Sequence, residues 1–308
     1  MNENKFDIII IGGGPAGLTA GLYLSRAKVS ALVLNEGIVG GQMSLTHEIA
    51  NYPGIDTISG YMLSRTMQKQ AENFGCVVKS NIKVTNYELE GAIKTVTVND
   101  KDICEAKAVI IATGGKSREI GVSGEKDFAG RGISYCATCD GDFFQDKEII
   151  VVGGGNSALE EAVSLTQYAS KVTIVHQFDH FQAYNHAIEA AKKHEKIHFI
   201  LESIITDFSG SQSLENVTIK NLKTGKEAEK KIDGVFIFIG YVPQTKPFEN
   251  IIKLNERAEI LADENLETNV SGVFVAGDCR EKRYRQITTA VSDGTIAALN
   301  AIEYIQDK

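Results

Sequence analysis

Ile8-Ile9-Ile10-Ile11-Gly12-Gly13-Gly14-Pro15-Ala16-Gly17 is the stretch on which the reading of this chain turns. The continuous apolar run from Lys5 to Ile11 has the pattern of a parallel strand buried on both faces. An amphipathic stretch, Leu18 to Arg26, and a second strand, Ser30 to Leu34, complete a β-α-β unit with G-x-G-x-x-G at its first turn. Gly12 permits the tight turn, Gly14 lets a pyrophosphate approach the backbone, and Gly17 lets helix and strand pack closely. The helix N-terminus, with Pro15 and Ala16, then faces the phosphates. A lone G-x-G-x-x-G is weak. Here it follows a strand, opens a helix and is followed about 20 residues on by Glu36, where a ribose hydroxyl needs an acceptor. The spacing therefore predicts a dinucleotide at this turn.

Further along, the pattern repeats. Lys147 to Gly155 reads as a strand running into Gly153-x-Gly155-x-x-Ala158, with a helix from Ser157 to about Tyr168 and a strand from Lys171 to Val175. Aligning the glycines sets Leu34 against Val175 without a gap. The fold class expected is α/β, with two Rossmann-like, three-layer β-α-β nucleotide-binding domains.

Between the two signatures stands Cys136-Ala137-Thr138-Cys139-Asp140. Such a C-x-x-C pair can close a disulfide within one turn, or serve as half of a zinc site. Zinc would require a second pair or nearby histidines. Cys76, Cys104 and Cys279 stand alone, and His176, His180 and His186 lie beyond the second glycine turn, so redox chemistry without a metal is the favoured reading. Thiol exchange needs a proton donor for the departing thiolate, and Asp140 is the candidate; capping of the turn is its alternative role.

The remaining segments punctuate this plan. Gly40-Gly41-Gln42 and Asn51-Tyr52-Pro53-Gly54 form a polar, turn-rich loop, followed by a helix near Tyr61 to Phe74 and strands through Cys76 to Val98. Ala106 to Ala112 is a further buried strand, ending in Thr113-Gly114-Gly115. A basic helical stretch covers Glu189 to Glu195, and hairpin-like strands are expected at His198–Phe208, Glu215–Asn221 and Ala228–Gly240. Tyr241 to Gln244 reads as a return linker. Gly272 to Asp278 is a strand ending in glycine and acid, before a helix from about Thr288 to Ile305. An acid at the end of a buried strand must hold something polar, a flavin's ribityl or phosphate chain or a neighbouring cap.

With 308 residues and 43% hydrophobic side chains, the chain can fill two cores. Its net charge of −8 disfavours a general nucleic-acid binder. No apolar run approaches the ~18 residues of a membrane span, and Met1-Asn2-Glu3-Asn4-Lys5 leads straight into a strand. A cytoplasmic location without membrane association is therefore expected, and an odd cysteine count fits a reducing compartment.

Taken in order, Gly12 to Gly17, Gly40-Gly41-Gln42, Asn51 to Gly54, Cys136 to Asp140, Gly153 to Ala158, Gly277-Asp278 and Arg285-Gln286-Ile287 resemble the low-molecular-weight thioredoxin reductases over essentially the whole chain. The resemblance implies FAD, held in a discontinuous domain of residues 1–115 and 247–308. It implies an inserted pyridine-nucleotide-like domain, 116–246, that carries the dithiol, and a homodimer. Cofactor contacts would come from Gly12, Gly14, Pro15, Ala16, Gly17, Glu36, Gly41, Gln42, Asn51, Thr113, Gly114, Gly277, Asp278, Arg285, Gln286 and Ile287. By position Cys139 matches the cysteine that faces the flavin, Cys136 the one that attacks thioredoxin, and Asp140 the proton donor. One segment departs from the family. Its NADPH enzymes carry His-Arg-Arg-x-x-x-Arg after the second β-α-β unit, whereas this chain reads His176-Gln177-Phe178-Asp179-His180-Phe181-Gln182. That loss resembles a subset reduced by ferredoxin, which becomes the expected electron donor, with NADPH or NADH as the alternative. Arg280, Lys282, Arg283 and Arg285 are then a candidate landing patch for an acidic ferredoxin.

Overall fold

The structure is a computed structural model that describes residues 4–46 and 48–307. The chain forms two compact units, Met1–Lys116 with Val242–Lys308, and Ser117–Tyr241. Each is built on a five-stranded parallel sheet.

In the first unit the sheet order is Val273–Val275, Ala108–Ile111, Ile8–Ile11, Ala31–Leu34, Val77–Lys79. Ile8 to Ile11 are all buried, as are Ala31 to Leu34 and Ala108 to Ile111. Covered on both faces, such strands have no polar side, and each buried isoleucine or leucine contributes about 1.5–3 kcal/mol. One face packs on the helices Pro15–Arg26 and Ile287–Gln306, the other on the antiparallel sheet Val84–Glu88, Lys94–Val98, Asp102–Ala106. Pro15 at the first helical position presets the backbone of the first helix. Ser59 caps the helix Gly60–Asn73 by accepting the Met62 N–H at 3.3 Å.

The second unit follows the same plan. Its order is Ile197–Ile200, Lys171–Val175, Glu148–Val152, Gly234–Ile237, Ile133–Ser134, with an antiparallel sheet of Ser203–Gly210, Leu214–Asn221 and Glu227–Lys231. One difference matters for chemistry. The outermost strand of the first unit comes late in the chain, whereas that of the second, Ile133–Ser134, comes before its first β-α-β and leads straight into Tyr135-Cys136.

Two of the three hairpin strands expected from the sequence are corrected. The run His198–Phe208 breaks at Glu202, which sits at φ +50°, so Ile197–Ile200 joins the parallel sheet and only Ser203–Gly210 forms the hairpin. The run Ala228–Gly240 breaks likewise, and Gly234–Ile237 inserts beside Glu148–Val152. Apolar alternation in short strands does not say which sheet receives them. The linker Tyr241–Pro243 is itself a short strand, paired with Gly115–Ser117 where the chain passes from one unit to the other.

The first helix sits close to its sheet because Gly17 has no side chain: a Cβ there would lie 1.9 Å from the Gly12 carbonyl oxygen. Gly17→Ala should lower stability by about 1–3 kcal/mol or more, read as an earlier midpoint in chemical denaturation.

Candidate functional site

The first glycine turn is held by backbone contacts that exclude side chains. Gly12 has φ +112°, and a Cβ on it would lie 2.2 Å from the Ala112 carbonyl oxygen. Gly14 is open, its nearest neighbour being the Gly41 Cα at 4.0 Å from a built Cβ. Gly40 donates its N–H to the Gly13 carbonyl at 2.8 Å, which seats the second loop on the first turn. Gly14 is also the N-cap of the first helix, and no side chain caps that end. First-turn N–H groups facing an open glycine cradle are what a pyrophosphate requires.

Residues distant in sequence complete this cradle. Ala112 packs on Gly12, and Thr113 donates its hydroxyl to the Gln244 carbonyl at 2.7 Å; Gly114 follows at φ +63°. Gly277, at φ +82°, approaches Ala16 so closely that a Cβ would lie 2.9 Å from that of Ala16. Gln286 caps the C-terminal helix in a reciprocal capping box with Thr289, and Ile287 is its first residue. Glu36 is exposed just beyond the strand Ala31–Leu34. Gln42 and Asn51 are exposed on the loop that Gly41 begins. The geometry and donor set fit a dinucleotide's phosphates and ribose.

Two anchors of this region escaped the sequence reading. Asn35 is buried, accepts the Gly13 N–H at 2.8 Å and donates to the Gly37 carbonyl at 3.0 Å. Asp293, in the middle of the C-terminal helix and 4% exposed, accepts the Gly277 N–H at 3.1 Å. It also takes Arg280 at 3.0 and 3.1 Å and Lys282 at 2.6 Å. Lys282 lies 3.9 Å from Asp278, whose carboxyl burial pushes up while the Lys282 and Arg285 cations pull it down. Arg285 pairs with Glu259. Three of the four cations expected to form a surface patch are thus neutralised by acids of their own unit. Only Arg283, over the Tyr284 ring, is exposed among them.

Cys136 and Cys139 form a disulfide with Cα atoms 5.3 Å apart. Cys136 caps the turn Ala137–Asp140, its Sγ accepting the Cys139 N–H at 3.2 Å. Asp140 does not cap the following turn Gly141–Phe144. Its carboxyl lies 2.5 Å from the Ser134 hydroxyl. Burial raises its pKa, the Ser134 bond lowers it and Asp142 raises it, with the net shift upward. A carboxyl shifted in this direction is a better placed proton donor than an ordinary one. Behind the dithiol, the buried Glu125 accepts Tyr135 Oη–H at 2.8 Å, Ile120 N–H at 3.0 Å and Gly121 N–H at 2.7 Å. Cys76, Cys104 and Cys279 are buried in the first unit, where burial pushes all three thiols up, Cys76 to about 11.

The second glycine turn differs from the first. Gly155 is the N-cap of the helix Asn156–Leu165. Against Gly154, where the first unit has Asn35 on Gly13, lies the His176 ring, 2.3–2.4 Å from where a Cβ would stand. His176 is 6% exposed, stacks on Phe181 at 5.7 Å and meets Phe178 edge-on at 5.3 Å. Burial lowers its pKa. Gln182 donates its N–H to the Gly154 carbonyl at 2.8 Å. Asp179 lies 2.6 Å from His180 Nδ1, and that hydrogen bond holds its carboxyl below the usual range. From His176 to Gln182 the rim is aromatic, amide and carboxylate, with no guanidinium.

Asp293→Asn would leave Arg280 and Lys282 sharing an amide and release the Gly277 turn. On the order of 3 kcal/mol of stability should be lost, with flavin escaping at lower temperature, measured by thermal unfolding alongside the rise in free-flavin fluorescence.

Comparison with known proteins agrees with this architecture. The pyridine nucleotide-disulphide oxidoreductase family model matches residues 6–294. The chain is 46% identical to the thioredoxin reductase of Bacillus subtilis strain 168, over 100% of this chain and 97% of that one. It is 45% identical to a 34.2 kDa protein in the rubredoxin operon of Clostridium pasteurianum, over 99% of each. The crystal structure of thioredoxin reductase from Streptococcus pyogenes MGAS5005 superimposes with a TM-score of 0.96 at 42% identity, covering 100% of both chains. The chain belongs to the pyridine nucleotide-disulphide oxidoreductase family, as an FAD-binding flavoprotein of the low-molecular-weight thioredoxin reductase type with two Rossmann-like dinucleotide domains.

Proposed function

We propose that this protein reduces the disulfide of a thioredoxin-like protein through Cys136 and Cys139, with electrons supplied by reduced ferredoxin. The observation that carries the reading is a disulfide beside a half-buried carboxyl whose pKa burial raises, in a chain whose first unit offers an open dinucleotide cradle. In this reading a discontinuous domain of residues 1–115 with 247–308 binds FAD, and 116–246 is the inserted domain. Gly12, Gly14, Pro15, Ala16 and Gly17 hold the pyrophosphate and Glu36 a ribose. Gly41, Gln42, Asn51, Thr113, Gly114, Gly277, Asp278, Arg285, Gln286 and Ile287 complete the site. When bound there, FAD would supply the electron pair that reopens the Cys136–Cys139 disulfide. Cys136 then attacks the partner, Cys139 resolves the mixed disulfide, and Asp140 delivers protons to the sulfurs that leave. The family resemblance implies a homodimer as the working form.

The donor is inferred from the rim of the second glycine turn. If each charge-assisted bond to a 2′-phosphate contributes ~1.5–3 kcal/mol, three missing arginines remove about 4–9 kcal/mol of NADPH affinity. For NADH the ribose diol would want a carboxylate at the position of Gln177, and Asp179, two residues on, is engaged with His180. The retained turn itself is accounted for by packing, since His176 and Gln182 both close on Gly154. A ferredoxin near about −400 mV and a thioredoxin near about −270 mV leave ~130 mV, or roughly 6 kcal/mol for two electrons. Because Arg280, Lys282 and Arg285 are paired inward, an acidic donor would find only Arg283 exposed in that segment, so docking depends on other surfaces as well.

Anaerobic mixing decides between donors. Reduced ferredoxin should bleach the flavin and support turnover with thioredoxin, whereas stoichiometric NADPH or NADH should leave it oxidised over seconds; rapid bleaching by either nicotinamide would falsify the ferredoxin assignment. Cys136→Ser and Cys139→Ser should each abolish thioredoxin reduction while keeping FAD bound. Replacing Gln177, Phe178 and Gln182 together by arginine should tighten NADPH binding by about tenfold or more, measured by fluorescence titration.

A further inference from the structure

Ser134 ends the short edge strand Ile133–Ser134 and is buried. Three groups meet at its hydroxyl: Asp140 Oδ2 at 2.5 Å, the Cys136 N–H, which it accepts at 3.1 Å, and the Cys136 carbonyl oxygen at 3.3 Å. With one lone pair occupied by that N–H, the hydroxyl has a single proton to give and two acceptors to choose between. An ionised Asp140 takes it in a short charge-assisted bond. When Asp140 is protonated the carboxyl becomes the donor, and the serine proton turns to the Cys136 carbonyl. Both states are satisfied by rotation about one C–O bond.

We propose that Ser134 is the positioning residue of the proton donor, its hydroxyl tying the Asp140 carboxyl to the backbone of Cys136 in both protonation states. This rests on reading Asp140 as the donor in the exchange. That exchange starts with Cys136 as thiolate and with Cys139 and Asp140 protonated. Cys136 Sγ bonds to one partner sulfur, the partner S–S bond breaks, and the leaving thiolate takes the Asp140 proton. Cys139 then passes its proton to Asp140 and attacks Cys136 Sγ. The mixed disulfide breaks, and the second partner thiolate takes that proton, leaving Asp140 ionised and Cys136–Cys139 oxidised. Two protons and one electron pair reach the partner, and the negative charge moves from Cys136 to Asp140. Within this cycle Asp140 gives up a proton, regains one and gives it up again, so a support that served one protonation state alone would be broken in the middle of it.

The surroundings make Ser134 the group that favours the charged form. Burial and Asp142 both push the Asp140 carboxyl up, and the Ser134 bond opposes them. On the helix Asn156–Leu165, packed against this turn, Glu160 faces His186 at 3.9 Å and Glu161 is pushed up by burial and by Glu160, so that Asp142 is the charge that acts on Asp140. Deleting the hydroxyl should therefore raise the Asp140 pKa further and loosen the carboxyl.

The test is single turnover by the holoenzyme, reduced with dithiothreitol and freed of it, against two disulfides across pH. Hydroxyethyl disulfide releases a basic alkyl thiolate that needs a proton; dithiobis-nitrobenzoate releases an acidic aromatic thiolate that does not. Ser134→Ala should move the alkaline fall in the alkyl rate upward by about one pH unit. Below that fall it should slow the alkyl reaction by about tenfold and leave the aromatic one near wild type. Ser134→Thr, which keeps the hydroxyl, should restore both. If Ser134→Ala does not fold, Ser134→Gly deletes the same group. A fall that stays at the wild-type pH in the hydroxyl-free variant, or equal loss with both disulfides, overturns the role of Ser134. If Asp140→Asn keeps the alkaline fall, it is the proton-donor reading that fails.

Discussion

The first helix is held where it is by backbone meeting backbone. A Cβ on Gly17 would strike the Gly12 carbonyl, and one on Gly294 would lie 2.2 Å from the Ala16 carbonyl, so the same helical turn is gripped by the sheet on one side and the C-terminal helix on the other. Gly277 closes on Ala16 between them. These contacts join residues from both ends of the chain into one unit and leave the helix N-terminus, capped by Gly14 alone, facing outward. An uncapped helix end costs stability unless something takes its N–H groups, and phosphate oxygens can do so. The site and the closure of the discontinuous unit are thus one arrangement.

Charge in this region is spent inward. Asp293, Asp278 and Glu259 come from separate parts of the chain, and together they absorb three of the four cations of the segment 280–285. A cluster that looks like a landing surface when read linearly is an internal clamp on the Gly277 turn. Buried ions retained in this way give up solvation for geometry.

The fold was largely legible because its signals are local: isoleucine runs, glycine spacing and a repeat that aligns without a gap. The dithiol was legible for the same reason. What could not be read was which partners a polar residue finds across the chain. Nothing near Asp293 in sequence announces Gly277, and nothing near Asn35 announces Gly13, since both contacts exist only once the strands are in register. The strands split at Glu202 and before Gly234 were misread because period-two alternation looks alike in a hairpin and in the end of a parallel sheet. Ser134 was overlooked although it stands two residues before Cys136; without the fold, a serine there carries no distinguishing pattern.

The outermost strand of the second sheet, Ile133–Ser134, is drawn from upstream of its nucleotide fold, whereas the equivalent strand in the first sheet lies downstream. In a duplicated architecture this makes the sulfur-bearing turn a graft on the incoming connection, outside either β-α-β repeat. Such a placement lets descent alter the reactive turn, or the nucleotide rim, each without rebuilding the other. A lineage could discard one fuel and keep the same output chemistry, because the two are written on separate pieces of chain.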